Sequence, residues 1–367
     1  MSVKPGFWIA GVLAGAAAYC AGRPAPPRIA YINAAPRLAA VVDQALRERG
    51  DGRVTAFLVP ATSPDASAGR GDAREVGYAE AVVAAPGVVA VVGHPSSRAS
   101  LLAAPIYGEA GLPFIVPTAT TRLLRDAGPW TFQLAPDDEA EGAFIAGFAL
   151  DSLAARAITI FYLVADPYGI GLRDALTDAL RSRGVVPVDA VGILEDSDFE
   201  RRVAASLRRR TPQAVVIAAR TPEAVAIARA LRSRLPSVPL LLADGVADSA
   251  FAHAASPRGG PVYGVAWWRA DSPDSASRAF VARFERAAGR QPLAQEAMYY
   301  DAIMVAAEAV REVGPGRAAI RRYLSELGVT RPPYRGITGP ISFTRGRPTN
   351  LIMVRLDSGA AATAAAR

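Results

Sequence analysis

Residues 88–100 read VVAVVGHPSSRAS. Five apolar residues run unbroken into Gly93, His94 and Pro95, and two serines then open a run of helical composition. A fully apolar run of this length suits a strand covered on both faces. Small hydroxyls at a helix start accept hydrogen bonds from its unpaired first amides. The stretch therefore reads as a buried strand, a turn and a capped helix. Three uses of such a turn are open on these residues alone: a nucleophile elbow, a phosphate loop or a carboxylate-binding loop.

The same pattern extends in both directions. RIAYIN, VTAFLVP, PFIVPTAT and WTFQLAP are strand candidates around the first stretch, and AITIFYLVAD, VVPVDAVGI, AVVIAAR, VPLLLAD and VYGVAWW form a second series. Amphipathic runs such as PRLAAVVDQALRERG and GLRDALTDALRSRG lie between them. Apolar strands alternating with helices predict parallel sheets covered on both faces, and two series predict two α/β lobes. A long helical tract from Arg278 to Gly314 follows without new parallel strands, long enough to return to the first lobe. The end, GPISFTRGRPTNLIMVRL, reads as a hairpin of two strands around a polar turn.

The chain has 367 residues, more than one hydrophobic core usually serves, and 51% of them are apolar. The formal charge of +7 comes from arginines spread among acids along helical runs, which argues against nucleic acid. Arg208, Arg209 and Arg210 close a predicted helix, where cations are favoured. Residues 1–22 carry Lys4, a short apolar core from Phe7 to Ala18 and then small residues, the pattern of an export signal. Cys20, the single cysteine, excludes a disulfide within the chain and is a candidate for lipidation and membrane tethering. Cleavage near Ala18 or Gly22 is the alternative. A periplasmic or other extracytoplasmic location follows as an expectation.

Enzyme readings fail on the residues. Gly93-His94-Pro95-Ser96-Ser97 lacks the second glycine of a hydrolase elbow, and only His94 and His253 are available for a triad. GRGDAREVG lacks the Lys-Ser/Thr ending of a phosphate loop. No zinc motif, cysteine pair or dense carboxylate cluster is evident, so neither cofactor nor metal is expected. Binding reads better. Ser96 and Ser97 can turn hydroxyls and free amides toward an anion, although plain helix capping explains the same serines equally well. Thr118, Thr120 and Thr121 follow the next strand, while Asp166, Tyr168, Arg220 and Asp244 follow strands of the second series. Hydroxyls on one wall and a tyrosine with a carboxylate on the other suit a zwitterion.

These residues carry a resemblance. GVVAVVGHPSSRASLLAAPIYGEAGLPFIVPTATT, DPYGIGLRDAL, SDFERRVAASLRRRTPQAVVIAARTPEA, YYDAIMVAAEAV and GPISF resemble the type I periplasmic substrate-binding proteins of branched-chain amino acid ABC transporters, over roughly residues 80–360. The resemblance implies two Rossmann-like lobes joined by three crossovers, closing on an amino acid or similar small polar ligand and docking on a transporter permease. It places lobe 1 at 23–137 plus 270–345 and lobe 2 at 138–269 plus 346–367, with hinges near 135–140, 268–272 and 343–349. Residue by residue, it implies that Ser97 binds the ligand carboxylate and that Thr118 and Thr120 supply one backbone and one hydroxyl contact. It further implies that Tyr168 covers the ligand and that Asp244 takes the ammonium. Arg220 stands where the family has an aromatic residue, and it either neutralises Asp244 or binds a second ligand carboxylate; the pairing with Asp244 is the favoured expectation. The family's Gly-rich first loop is absent. A sensory module of the same fold, reporting occupancy to a signalling partner, is the alternative to transport.

Overall fold

The computed structural model describes residues 26–32, 36–48, 54–59, 71–194, 198–246, 251, 259–344 and 350–356. Cys20, the export signal and His253 lie outside them. The opening stretch forms strand β3 (Val88–Val92), every residue of it buried, followed by helix α3 (Ser97–Glu109). Gly93 between them has φ +143, and a Cβ there would meet the Ile32 side chain at 3.0 Å and its carbonyl oxygen at 3.2 Å. A side chain at that position would collide with the neighbouring strand, so the turn requires glycine.

Strand β3 is the centre of a five-stranded parallel sheet ordered β2-β1-β3-β4-β5. Its other members are β1 (Arg28–Ile32), β2 (Thr55–Val59), β4 (Phe114–Val116) and β5 (Thr131–Gln133). Helix α1 (Pro36–Glu48) buries Leu38, Val41, Val42, Ala45 and Leu46, the i, i+3, i+4, i+7, i+8 stripe of a sheet-covering helix. Helix α2 (Asp72–Ala84) packs beside α3.

The second sheet is ordered β13-β10-β9-β8-β6-β7. Strands β6 (Ile158–Leu163), β7 (Asp189–Ile193), β8 (Ala214–Ala218), β9 (Leu240–Leu242) and β10 (Val262–Ala266) are parallel. The fully apolar runs AVVIA and LLL supply its buried centre. Helices α4 (Asp138–Gly147), α5 (Pro167–Ser182), α6 (Phe199–Leu207) and α7 (Thr221–Arg232) accompany it. A Cβ on Gly142 of α4 would stand 2.7 Å from the Leu176 amide of α5, so these two helices meet almost backbone to backbone.

The long helical tract divides into α8 (Ser275–Ala288) and α9 (Ala294–Val313), broken at Gly289 in the left-handed region, and α10 (Arg317–Glu326) follows. Helix α9 shares one buried cluster with α1, β1 and β3, so the chain does return to the first sheet. The expected C-terminal hairpin is corrected. Strand β12 (Gly339–Ile341) pairs instead with β11 (Tyr334–Gly336), and β13 (Ile352–Arg355) adds antiparallel to β10 at the edge of the second sheet. The apolar run of β13 buries more by joining a large sheet than by folding back on a three-residue partner.

Candidate functional site

Strand ends of both sheets face a cleft of about 560 Å³, within the usual range for small-molecule sites. The first sheet contributes Ser96, Ser97, Thr118 and Thr120 to its wall, and the second contributes Tyr168, Arg220 and Asp244. Ser97, Thr118, Thr120, Tyr168, Arg220 and Asp244, the six residues expected at the ligand, therefore line one cavity. Leu38, Leu293, Trp267 and Tyr299 add an apolar and aromatic wall that sequence reasoning missed, because they come from distant helices and from the crossover after β10.

At one end, the Ser96 side chain caps α3 by accepting from the Ala99 amide at 3.2 Å. The Ser97 Oγ accepts from the Thr121 amide at 3.3 Å, which leaves its proton to be donated elsewhere. The Thr118 hydroxyl donates to the Pro95 carbonyl at 3.1 Å, so its proton is used within the turn. The Thr120 Oγ1 is buried, lies toward Asp138 and has no hydrogen-bond partner at normal distance among the described residues. A donating serine beside the first amides of a helix is a site for a carboxylate. His94 is fully buried between Glu75 Oε2 at 2.7 Å and the Tyr107 hydroxyl at 3.1 Å, a core polar group away from this wall. Burial works against the charge on Glu75, yet its contacts with His94 and Arg74 hold its carboxyl below the usual range.

The opposite end is acidic. The Tyr168 hydroxyl accepts from the Gly245 amide at 3.3 Å and touches Asp244. Asp166 caps α5 through the Tyr168 amide at 3.1 Å. Arg220 pairs with Asp166 rather than Asp244, which corrects the expected pairing: both residues follow neighbouring strands, β8 and β6, at the mouth of the cleft. Asp244 is instead backed by two acids absent from the sequence reading. Its amide donates to Glu141 Oε1 at 2.8 Å, and Asp138 lies close enough to repel it. Asp138 is fully buried, and burial pushes its carboxyl up to about 8, with Asp244, Asp137 and Asp166 adding to the rise and the Thr120 hydroxyl opposing it. Burial likewise raises Asp244, and raises Glu141 further through the added charge of Asp244. The signal was DDEAE at 137–141, where Asp138 and Glu141 stand i, i+3 on one helix face. The sequence reading considered clustered carboxylates only as a metal site and did not single out this group. Among the described residues, however, no group of acids, histidines or cysteines has the arrangement of a metal site.

Arg98, in the first turn of α3, joins the two sides. Its Nε and Nη2 bond both oxygens of Asp72 at 2.6 Å, and its Nη1 donates to the Ala165 carbonyl beyond β6 at 3.1 Å. A contact that exists only when the walls are together favours closure. Arg98→Ala is expected to speed ligand release about two- to fivefold, as a half-exposed charged contact allows, with little change in the association rate. Stopped-flow ligand displacement measures both; an unchanged release rate would rule out the contact as a clasp.

A sequence profile described as "Periplasmic binding protein" matches residues 72–360. A Leu/Ile/Val-binding protein homolog of Brucella suis is 26% identical over 284 residues, 76% of this chain and 74% of that protein. An amino acid binding protein of Pseudomonas aeruginosa is 28% identical over 256 residues, 67% of each chain. The crystal structure of a leucine binding protein from Thermotoga maritima superposes with a TM-score of 0.79 at 20% identity, covering 92% of this chain and 97% of that one. These relatives are binding proteins rather than enzymes.

Proposed function

We propose that this chain, which belongs to the periplasmic binding protein family, captures an amino acid or a similar small zwitterion outside the cytoplasm and presents it to an ABC transporter permease. The observation that carries the proposal is the polarity of the cleft. A donating Ser97 hydroxyl beside the α3 N-terminus stands at one end, and buried carboxyls with Tyr168 stand at the other. That arrangement matches the two charges of an α-amino acid and leaves Leu38, Trp267 and Leu293 to receive its side chain. The names of the relatives point the same way: a Leu/Ile/Val-binding protein homolog, a leucine binding protein and an amino acid binding protein.

The residue roles belong to the same proposal. Ser97 and the first amides of α3 hold the carboxylate, Thr118 is held in place by Pro95 and offers its backbone, and Thr120 offers its hydroxyl. Asp244 takes the ammonium and Tyr168 covers the ligand. Arg220, tied to Asp166, shapes the mouth rather than binding a second carboxylate. Lobe boundaries near residues 137 and 270 and hinges at the crossovers complete the picture. Isothermal titration against the twenty amino acids, their amides and their decarboxylated amines tests it. At least one amino acid should bind at micromolar concentration or below, and its decarboxylated amine should bind far more weakly. Equal binding of the two would remove the carboxylate from the site, and failure of every amine to bind would remove the reading altogether.

A further inference from the structure

Behind the amine end of the cleft, three carboxyls are gathered without a counter-cation among the described residues. Asp138 and Glu141 project from the first turn of α4, and Asp244 follows β9. Asp138 and Glu141 are fully buried and Asp244 is 7% exposed. The Glu141 and Asp244 carboxyls touch, and Glu141 also accepts the Asp244 amide at 2.8 Å. Among the described residues, both oxygens of Asp138, Glu141 Oε2, Asp244 Oδ1 and the Thr120 hydroxyl have no hydrogen-bond partner at normal distance.

The neighbouring charges do not relieve them. From α5 comes Tyr168, with Asp166 capping the helix; from the crossover comes Asp137. The nearby arginines are committed to other acids: Arg220 to Asp166, Arg125 to Asp137 and Glu139, and Arg290 to Glu296. Two touching carboxyls in a buried site cannot both be ionised, so the pair holds a proton. Tyr168 and the amide of Gly245 favour the ionised form of Asp244, which leaves the proton on Glu141.

We infer that Glu141 stores a proton that an ammonium group arriving at Asp244 expels, so that ligand capture by this protein is linked to proton release. The inference rests on the reading of Asp244 as the ammonium acceptor. In the step, the Glu141 O–H bond breaks, its electron pair stays on the carboxylate, and the proton leaves to water. The incoming group keeps its three N–H bonds and brings the positive charge that lets both carboxylates remain ionised. Glu141 stands behind the cavity wall, so it acts through Asp244 as a positioning residue rather than as a ligand contact.

The test is calorimetry of the wild type, Glu141→Gln and Asp138→Asn with L-leucine, or with the tightest binder of the amino-acid panel, between pH 6 and 9 in buffers of different ionisation enthalpy. The wild type should release a substantial fraction of a proton near neutral pH, with affinity rising by up to about tenfold per pH unit where release is complete. Glu141→Gln preserves the acceptor for the Asp244 amide; it should bind with much less proton release and a flattened pH profile. Asp138→Asn should retain release. The infrared carbonyl band of a protonated carboxyl, read without any ligand, should weaken in Glu141→Gln. Amine binding by the wild type without proton release, full release by Glu141→Gln, or an unchanged carbonyl band would each overturn the inference and leave the amino-acid reading intact. If no amine binds, that reading and the inference fall together.

Discussion

Replacing Asp244 with alanine should lower amino-acid affinity about a hundredfold or more while leaving the fold at least as stable as the wild type. Removing one partner of a buried charge pair costs roughly 2–5 kcal/mol in binding, and 2.7 kcal/mol is already a factor of about a hundred. The loss should not be made good by Glu141, because that carboxyl lies behind the cavity lining and is held there by the residue 244 amide, which alanine retains. Stability should not fall, because the substitution removes a buried carboxylate that has no counter-cation among the described residues. Calorimetry with the best amino-acid ligand and denaturant unfolding without it provide the two readings. Binding within a few-fold of the wild type would move the ammonium to another acceptor; lost binding together with lost stability would indicate a structural role instead.

How far the sequence carries the argument can be judged at particular residues. The strands VVAVV, AVVIA and LLL declare themselves because a two-sided parallel sheet leaves no room for polar residues, and the turns after them place Ser97, Arg220 and Asp244 at strand ends. Those three converge on one cavity for that topological reason. Arg220 went to Asp166 rather than Asp244 although β8 neighbours both β6 and β9: Asp244 is turned toward Tyr168 and Glu141, an orientation that linear spacing does not express. The C-terminal run GPISF…NLIMVRL was misjudged for the same reason: local turn chemistry suggests a hairpin, whereas a distant edge strand offers β13 the larger partner. Glu141 and Asp138 were legible as an acidic helix start, the commonest and least informative reading of such a run. Only the fold shows that the first turn of α4 points inward, toward Asp244, and only the absence of side chains on its neighbours makes room for it. A Cβ on Gly171 would stand 2.2 Å from Asp138 Oδ2.

That buried acid yields the other large expected effect. Asp138→Asn should stabilise the ligand-free protein by several kcal/mol at pH 8 and hardly at all at pH 4. The folded carboxyl titrates at about 8, above the ordinary value of 3.8 that the unfolded chain approaches. A raised folded value means that the favourable contribution of the protonated form is complete below about pH 4, where both states carry the proton. It is then lost progressively as pH rises toward 8, because the unfolded chain ionises freely while the folded one resists. Each pH unit in that window costs about 1.4 kcal/mol for one group, and full burial of Asp138 leaves little solvent to soften the effect. Asparagine has no charge in either state and keeps nearly the same shape, with an amide able to meet the Thr120 Oγ1. Urea unfolding at unit pH intervals should therefore give a wild-type stability that declines between pH 4 and 8 and a shallower decline in the variant, the residual slope belonging to Glu141 and Asp244. Parallel curves for the two proteins would mean that Asp138 ionises normally in the fold. A saturating amino-acid ligand should reduce the wild-type slope as well, since its ammonium supplies the positive charge that this end of the cleft otherwise lacks.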